Sequence, residues 1–164
     1  MAIRIALSLA PAMSSAGAQQ VRAGVRAPDI DFKTLEGTHV RLSGFRGHPV
    51  VMTFWGTWCP PCREEFPELV GLYKRQHAAG LEVLAVNLRD QELNDGAVRK
   101  FVTEFDVPFP VLLDPRGSSR RAYQLVGMPT TVFIDSAGII QRVHTGPLTA
   151  AELRQNVAMI HAVP

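Results

Sequence analysis

The sequence predicts an α/β fold, a central mixed sheet flanked by helices with an N-terminal β-hairpin extension. Two observations lead to it. Short apolar, β-rich runs at residues 50–55, 83–88, 109–113 and 130–134 alternate with stretches whose apolar residues recur at three- and four-residue spacing. The run Val50-Val51-Met52-Thr53-Phe54-Trp55 is nearly continuous rather than alternating, as a strand covered on both faces would be.

The elements follow in order. Residues 30–35 and 39–42 are joined by Glu36-Gly37-Thr38 and read as a hairpin, Gly37 permitting the turn. Residues 43–49 carry two glycines and a proline and form a loop. Strand 50–55 stops at Gly56, and from Pro60 to about Ala79 the pattern is helical. Phe66, Leu69, Val70 and Tyr73 make one stripe there, and Gly80 closes the helix. A second buried strand spans 83–88. Helix 95–105 turns Val98, Phe101, Val102 and Phe105 to one side, strand 109–113 follows, and a short helix covers 118–125. Residues 130–134 and 139–144 form a closing hairpin around Ser136-Ala137-Gly138. The last helix runs from Thr149, its N-cap, to Ile160, with Glu152 completing a capping box.

A chain of 164 residues suits one domain, placed at residues 26–162. Residues 1–18 have the form of an export signal: Arg4, an apolar stretch from Ile5 to Met13, then Ala16-Gly17-Ala18 as the cleavage site. Residues 19–25 are expected to be a flexible leader, and the location periplasmic or otherwise extracytoplasmic. No cysteine stands near residue 18 for lipid attachment. A net charge of +2 is too small to imply a nucleic-acid partner, and Arg116, Arg120 and Arg121 read as a solvated surface.

The two cysteines, Cys59 and Cys62, are the only ones, too few for a disulfide framework or a four-cysteine zinc site. A disulfide between them closes a ring worth only about 2 kcal/mol by loop entropy, against roughly 4–5 for a ring of about a hundred residues. As a staple the pair is poor. As a reversible switch it is well suited, because the second thiol is held beside any mixed disulfide made by the first. The pair also sits where a buried strand passes into a helix, whose unpaired N–H groups and partial positive charge favour a thiolate. Cys59, before the first turn, is expected to be the attacking nucleophile. Cys62, inside the turn and more buried, resolves the intermediate. Trp55 and Trp58 flank the site and are expected to shield it from water.

Pro60 and Pro61 have no N–H, so donors to the Cys59 sulfur must come from Cys62 or beyond. No histidine or lysine lies between the cysteines, and Glu64 and Glu65 oppose thiolate formation. A poorly stabilised thiolate makes a less oxidising disulfide, so the segment leans toward a reductant.

The segment Phe54-Trp55-Gly56-Thr57-Trp58-Cys59-Pro60-Pro61-Cys62-Arg63-Glu64-Glu65-Phe66-Pro67 resembles the active-site stretch of thioredoxin-like proteins of the TlpA/ResA kind, within the AhpC/TSA-redoxin superfamily. Gly127-Met128-Pro129-Thr130-Thr131 is similar to that family's cis-proline loop, and the likeness extends over about residues 26–162. The resemblance implies a thioredoxin-like fold and an exported thiol–disulfide reductase acting through a Cys59–Cys62 disulfide with no further cofactor. It also implies protein disulfides as substrates, apocytochrome c among them, and a membrane electron donor of the CcdA/DsbD type. By the same resemblance Pro129 is a cis-proline facing the pair, with the Met128 backbone offered to an extended substrate. Glu65 matches an acid that tunes the thiols; the alternative is that Glu64 and Glu65 only complement the helix dipole. Pro67 matches a helix-bending proline. Thr53 stands where ordinary thioredoxins carry a buried aspartate, which speaks against a cytosolic thioredoxin.

Other readings are weaker. The front hairpin and Ser43-Gly44-Phe45-Arg46-Gly47 also resemble peroxiredoxins, but Gly56 occupies the place of the threonine or serine that peroxide reduction needs. Arg63 stands where haem attachment requires histidine. A copper chaperone would need the thiolates and a histidine, His144 being the downstream candidate, while His39, His48, His77 and His161 read as surface residues. A holdase without turnover would not need the cysteines.

Overall fold

The computed structural model describes residues 21–161; the expected export signal at 1–18 lies outside them. In chain order the elements are β1 (Asp31–Thr34), β2 (His39–Arg41), β3 (Val50–Trp55), α1 (Pro60–Gln76), β4 (Glu82–Asn87), α2 (Asp95–Glu104), β5 (Val111–Leu113), α3 (Ser118–Ala122), β6 (Thr130–Ile134), β7 (Ile140–Thr145) and α4 (Ala150–His161). All eleven lie where the periodicity predicts them. The loop expected at 43–49 begins as a 3-10 turn over Leu42–Phe45. Strand β5 starts two residues later than expected, at Val111, because Pro110 has no N–H to give a ladder, though its carbonyl accepts from Ala85.

One seven-stranded sheet has the order β2-β1-β5-β4-β3-β6-β7. Only β3–β4 and β4–β5 pair in parallel; β1 joins β5, and β6 joins β3, antiparallel. The sheet is mixed, and its parallel part is narrower than strand–helix alternation alone suggests. The front hairpin extends the sheet through β1 and β5. Chain order reaches back before residue 26. The Gly24 N–H donates to Ile140 O, the Ile140 N–H donates to Val25 O, and Val25 is buried.

Strand β3 explains how the site is carried. Val51, Trp55, and the helix residues Phe66, Leu69, Leu72, Phe101, Leu153 and Val157 share one core, on the face covered by α1, α2 and α4. Val50, Met52 and Phe54 point to the other face, against Leu84, Leu112, Tyr123 and Ile140. Both faces of β3 are therefore dry, as its continuous apolar sequence requires. Around Trp55 the rings of Phe66 and Phe101 stand 4.7 and 4.4 Å away, centroid to centroid. This aromatic cluster fixes the junction between the end of β3 and the start of α1. The helix continues through Pro67. Farther away, Glu152 accepts from the Thr149 N–H and the Glu152 N–H donates to Thr149 Oγ1, the reciprocal cap expected there.

Candidate active site

Cys59 is the N-cap of α1, with Pro60 and Pro61 opening the helix. The two sulfurs are joined as a disulfide, and their Cα atoms lie 5.3 Å apart. Of the first helical N–H groups, that of Cys62 donates to Cys59 Sγ at 3.2 Å, the nearest donor the two prolines allow. Cys62 is fully buried and Cys59 is 3% exposed, so the pair's accessible edge belongs to Cys59. A single N–H and the helix dipole supply the local positive field, and no cationic side chain adds a hydrogen bond to the sulfur among the described contacts. When the reduced protein is treated with limiting iodoacetamide at pH 6, Cys59 is expected to alkylate at least about tenfold faster than Cys62. Peptide mapping reads the ratio, and faster labelling of Cys62 would reverse the two roles.

Trp55 and Trp58 part company. Trp55 is fully buried in the core, whereas Trp58 is 49% exposed. The Trp58 indole lies against Gly56: a Cβ at residue 56 would stand 2.6 Å from its Cε2 and Nε1. Gly56 is thus required by the close approach of the Trp58 ring.

Glu65 lies one helical turn beyond Cys62, on the same side of α1, and is 2% exposed. Burial pushes its carboxyl from 4.5 up to about 7, against the opposing hydrogen bonds from the Thr131 side chain and the Leu148 backbone. Thr131 Oγ1 is 3.3 Å from Glu65 Oε1 and 3.2 Å from Thr53 Oγ1. A dipole-complementing role belongs on the surface, and Glu64 is placed there instead.

The Met128–Pro129 peptide bond is cis, and Met128 packs against the core that holds both cysteines. Val126, two residues earlier, is 90% exposed.

Sequence reasoning missed Glu92. Its carboxylate accepts from the Thr57 N–H at 2.7 Å, the Thr57 hydroxyl at 2.5 Å and Asn87 Nδ2 at 2.8 Å. It thereby ties the loop after β4 to the loop that delivers Cys59, and it leaves Leu93 beside it fully solvent-facing. Nothing local signals a contact 35 residues long. Glu92→Ala is expected to cost about 1–3 kcal/mol in urea unfolding, because it strips the partners from two donors on Thr57 and one on Asn87. It should also lower kcat/KM for a disulfide substrate about tenfold by freeing the approach loop. An unchanged rate would dismiss the clamp.

On the α2 side, Arg63 pairs with Glu104 and its guanidinium lies 5.1 and 5.0 Å from the Phe101 and Phe105 ring centres. Of the basic cluster read from the sequence, Arg120 pairs with Asp90. His144 sits on β7 opposite Thr131. Among the described residues, no group of three or more His, Cys, Asp or Glu side chains is placed to hold a metal ion.

The sequence profile of the AhpC/TSA family matches residues 23–143. The thiol-disulfide oxidoreductase ResA of Geobacillus thermodenitrificans is 38% identical over 140 residues, covering 85% of this chain and 79% of the relative. The chain belongs to the AhpC/TSA family, as a ResA-like thiol-disulfide oxidoreductase. Solved structures agree with this placement. A Chlorobium tepidum chain provisionally assigned as thiol:disulfide interchange protein DsbE superposes with a TM-score of 0.77 at 33% identity, covering 87% of this chain and 99% of that one. A secreted thiol-disulfide isomerase from Corynebacterium glutamicum gives 0.74 at 27% identity, covering 82% and 84%. The fold of this oxidoreductase is thioredoxin-like, and its redox group is the Cys59–Cys62 disulfide.

Proposed function

We propose that this oxidoreductase works outside the cytoplasm as a reductase of protein disulfides, with Cys59 attacking and Cys62 resolving. The observation that carries the direction is the sparse stabilisation of the Cys59 sulfur, by one N–H at 3.2 Å. A poorly held thiolate shifts the equilibrium toward the oxidised pair, and the enzyme toward giving electrons.

The steps balance. The Cys59 thiolate attacks one sulfur of the substrate disulfide, forming a mixed disulfide and expelling the other as a thiolate. Cys62 then loses its proton, for which the Glu65 carboxylate is the buried acceptor. Its sulfur attacks Cys59, closing the ring and releasing the second substrate thiolate. Two electrons and two protons pass from the enzyme dithiol to the substrate disulfide. Trp58, Leu93 and Val126 are three of the four exposed large apolar side chains among the described residues, and they stand on the three loops that bring Cys59, Glu92 and Met128 to this end of the sheet. Together with the Met128-Pro129 edge they suit an extended, partly apolar polypeptide around a cystine. Apocytochrome c is one such substrate, and a membrane relay of the CcdA/DsbD type is the matching electron source. Export is supported by the form of residues 1–18 and by the secreted Corynebacterium neighbour.

Peroxide reduction is disfavoured by a specific contact: the Thr57 hydroxyl next to Gly56 is committed to Glu92. Redox titration of the pair against glutathione or dithiothreitol tests the direction. A potential of about −270 mV or lower is expected, and one near about −120 mV would make the protein an oxidant instead.

A further inference from the structure

Glu65, Thr131 and Thr53 form a line of three polar side chains inside an otherwise apolar core. Thr53 and Thr131 are directly opposed on the antiparallel strands β3 and β6, and both are fully buried. Thr131 Oγ1 stands between two partners, Glu65 Oε1 at 3.3 Å and Thr53 Oγ1 at 3.2 Å. A hydroxyl has one proton to give and lone pairs to receive, so Thr131 cannot donate to both at once. Two arrangements follow. With Glu65 ionised, Thr131 donates to the carboxylate and Thr53 donates to Thr131. With Glu65 protonated, the acid donates to Thr131, and Thr131 donates to Thr53.

We propose that Thr131, backed by Thr53, is the positioning residue that keeps Glu65 hydrogen-bonded in both of its protonation states by reversing the direction of this hydroxyl chain. Resting on the reading of Glu65 as the proton acceptor for Cys62, the chain lets a buried acid gain and lose a proton without leaving an unpaired polar group. A lone carboxyl in that core would be held neutral by desolvation. The aspartate of ordinary thioredoxins at position 53 would instead place a second carboxyl at the end of the line.

The neighbouring elements supply few other titratable groups. Cys62 is on α1 itself, His144 on β7 faces Thr131, and Glu152 at the start of α4 is exposed and bonded to Thr149. In the oxidised protein Cys62 carries no charge, and the setting of Glu65 comes from burial, opposed by the hydrogen bonds from Thr131 and the Leu148 backbone.

The test is the carboxyl titration of Glu65, followed by carbon NMR on the oxidised protein so that no thiol titrates. Thr131→Val removes the donor to the carboxylate and is expected to raise the titration midpoint by one unit or more, a tenfold loss of ionised form at a given pH. Thr131→Ser keeps the hydroxyl and is expected to stay within a few tenths of a unit. Thr53→Val leaves the donor to the carboxylate but removes the acceptor needed in the protonated state, so its shift is expected to be downward. A merely structural role would move both valine variants the same way. An unmoved midpoint in Thr131→Val, or an upward shift of equal size in Thr53→Val, would overturn the proposal. Glu65→Gln, assayed alongside for the pH dependence of substrate reduction, tests the underlying reading separately. If its profile matches that of the parent protein, Glu65 is not the proton acceptor, whatever the titrations of the threonine variants show.

Discussion

Cys59→Ser is expected to abolish protein-disulfide reduction, by more than about a thousandfold in kcat/KM, while the chain still unfolds in one cooperative transition. A serine hydroxyl is not ionised at neutral pH and cannot form the mixed disulfide, so nothing replaces the lost step. The structural cost is small by comparison. The ring that disappears spans four residues and is worth about 2 kcal/mol of loop entropy. The core around it rests on Trp55, Phe66, Leu69 and Phe101, none of which the substitution touches. Activity and urea denaturation measured on the same preparation separate the two roles. Loss of cooperative unfolding would make the disulfide a staple, and retained turnover would remove Cys59 from the mechanism.

Glu65→Gln is expected to stabilise the protein, and to do so only above mildly acidic pH. The folded-state carboxyl is raised from 4.5 to about 7. A raised acid favours the folded state fully below its unfolded value. As pH climbs from about 4.5 through about 7 the unfolded chain releases the proton first, and that stability is lost. Two and a half units correspond to about 3 kcal/mol. Glutamine carries no such penalty. At pH 5 the variant and parent should unfold within about 1 kcal/mol of each other. At pH 8 the variant should be more stable by about 2–3 kcal/mol, although slower in reduction. Urea midpoints at the two pH values check it, and an equal difference at both would mean that Glu65 does not titrate across this range. A stabilising change that costs activity is the pattern expected of a buried functional acid.

Much of this site was legible because its signals are local. The continuous apolar run of β3, its stop at Gly56 and the proline-led start of α1 place Cys59 at a helix N-cap before any contact is known. The two prolines also leave Cys62 as the nearest N–H donor. The burial of Glu65 was half visible. It stands three residues after Cys62 and four before Leu69, on the side of α1 that faces the core, but an adjacent glutamate pair reads equally well as surface charge. Its partners were not visible. Thr131 and Thr53 meet Glu65 through the register of β3 with β6, and a strand pairing chosen over 78 residues of chain leaves no periodic trace. The Glu92 clamp was hidden for the same reason. The packing of Trp58 was not visible either: its indole, half in solvent, approaches Gly56 too closely for any side chain there.

The most direct measurement is capture of the intermediate. The reduced Cys62→Ser variant, mixed with a small disulfide-bonded protein, should accumulate a covalent complex that dithiothreitol releases, with the substrate sulfur mapped to Cys59 by mass spectrometry. The Cys59→Ser variant should trap nothing above background. A complex formed at Cys62 in that second variant, or none in the first under conditions where the parent protein turns over, would contradict the account.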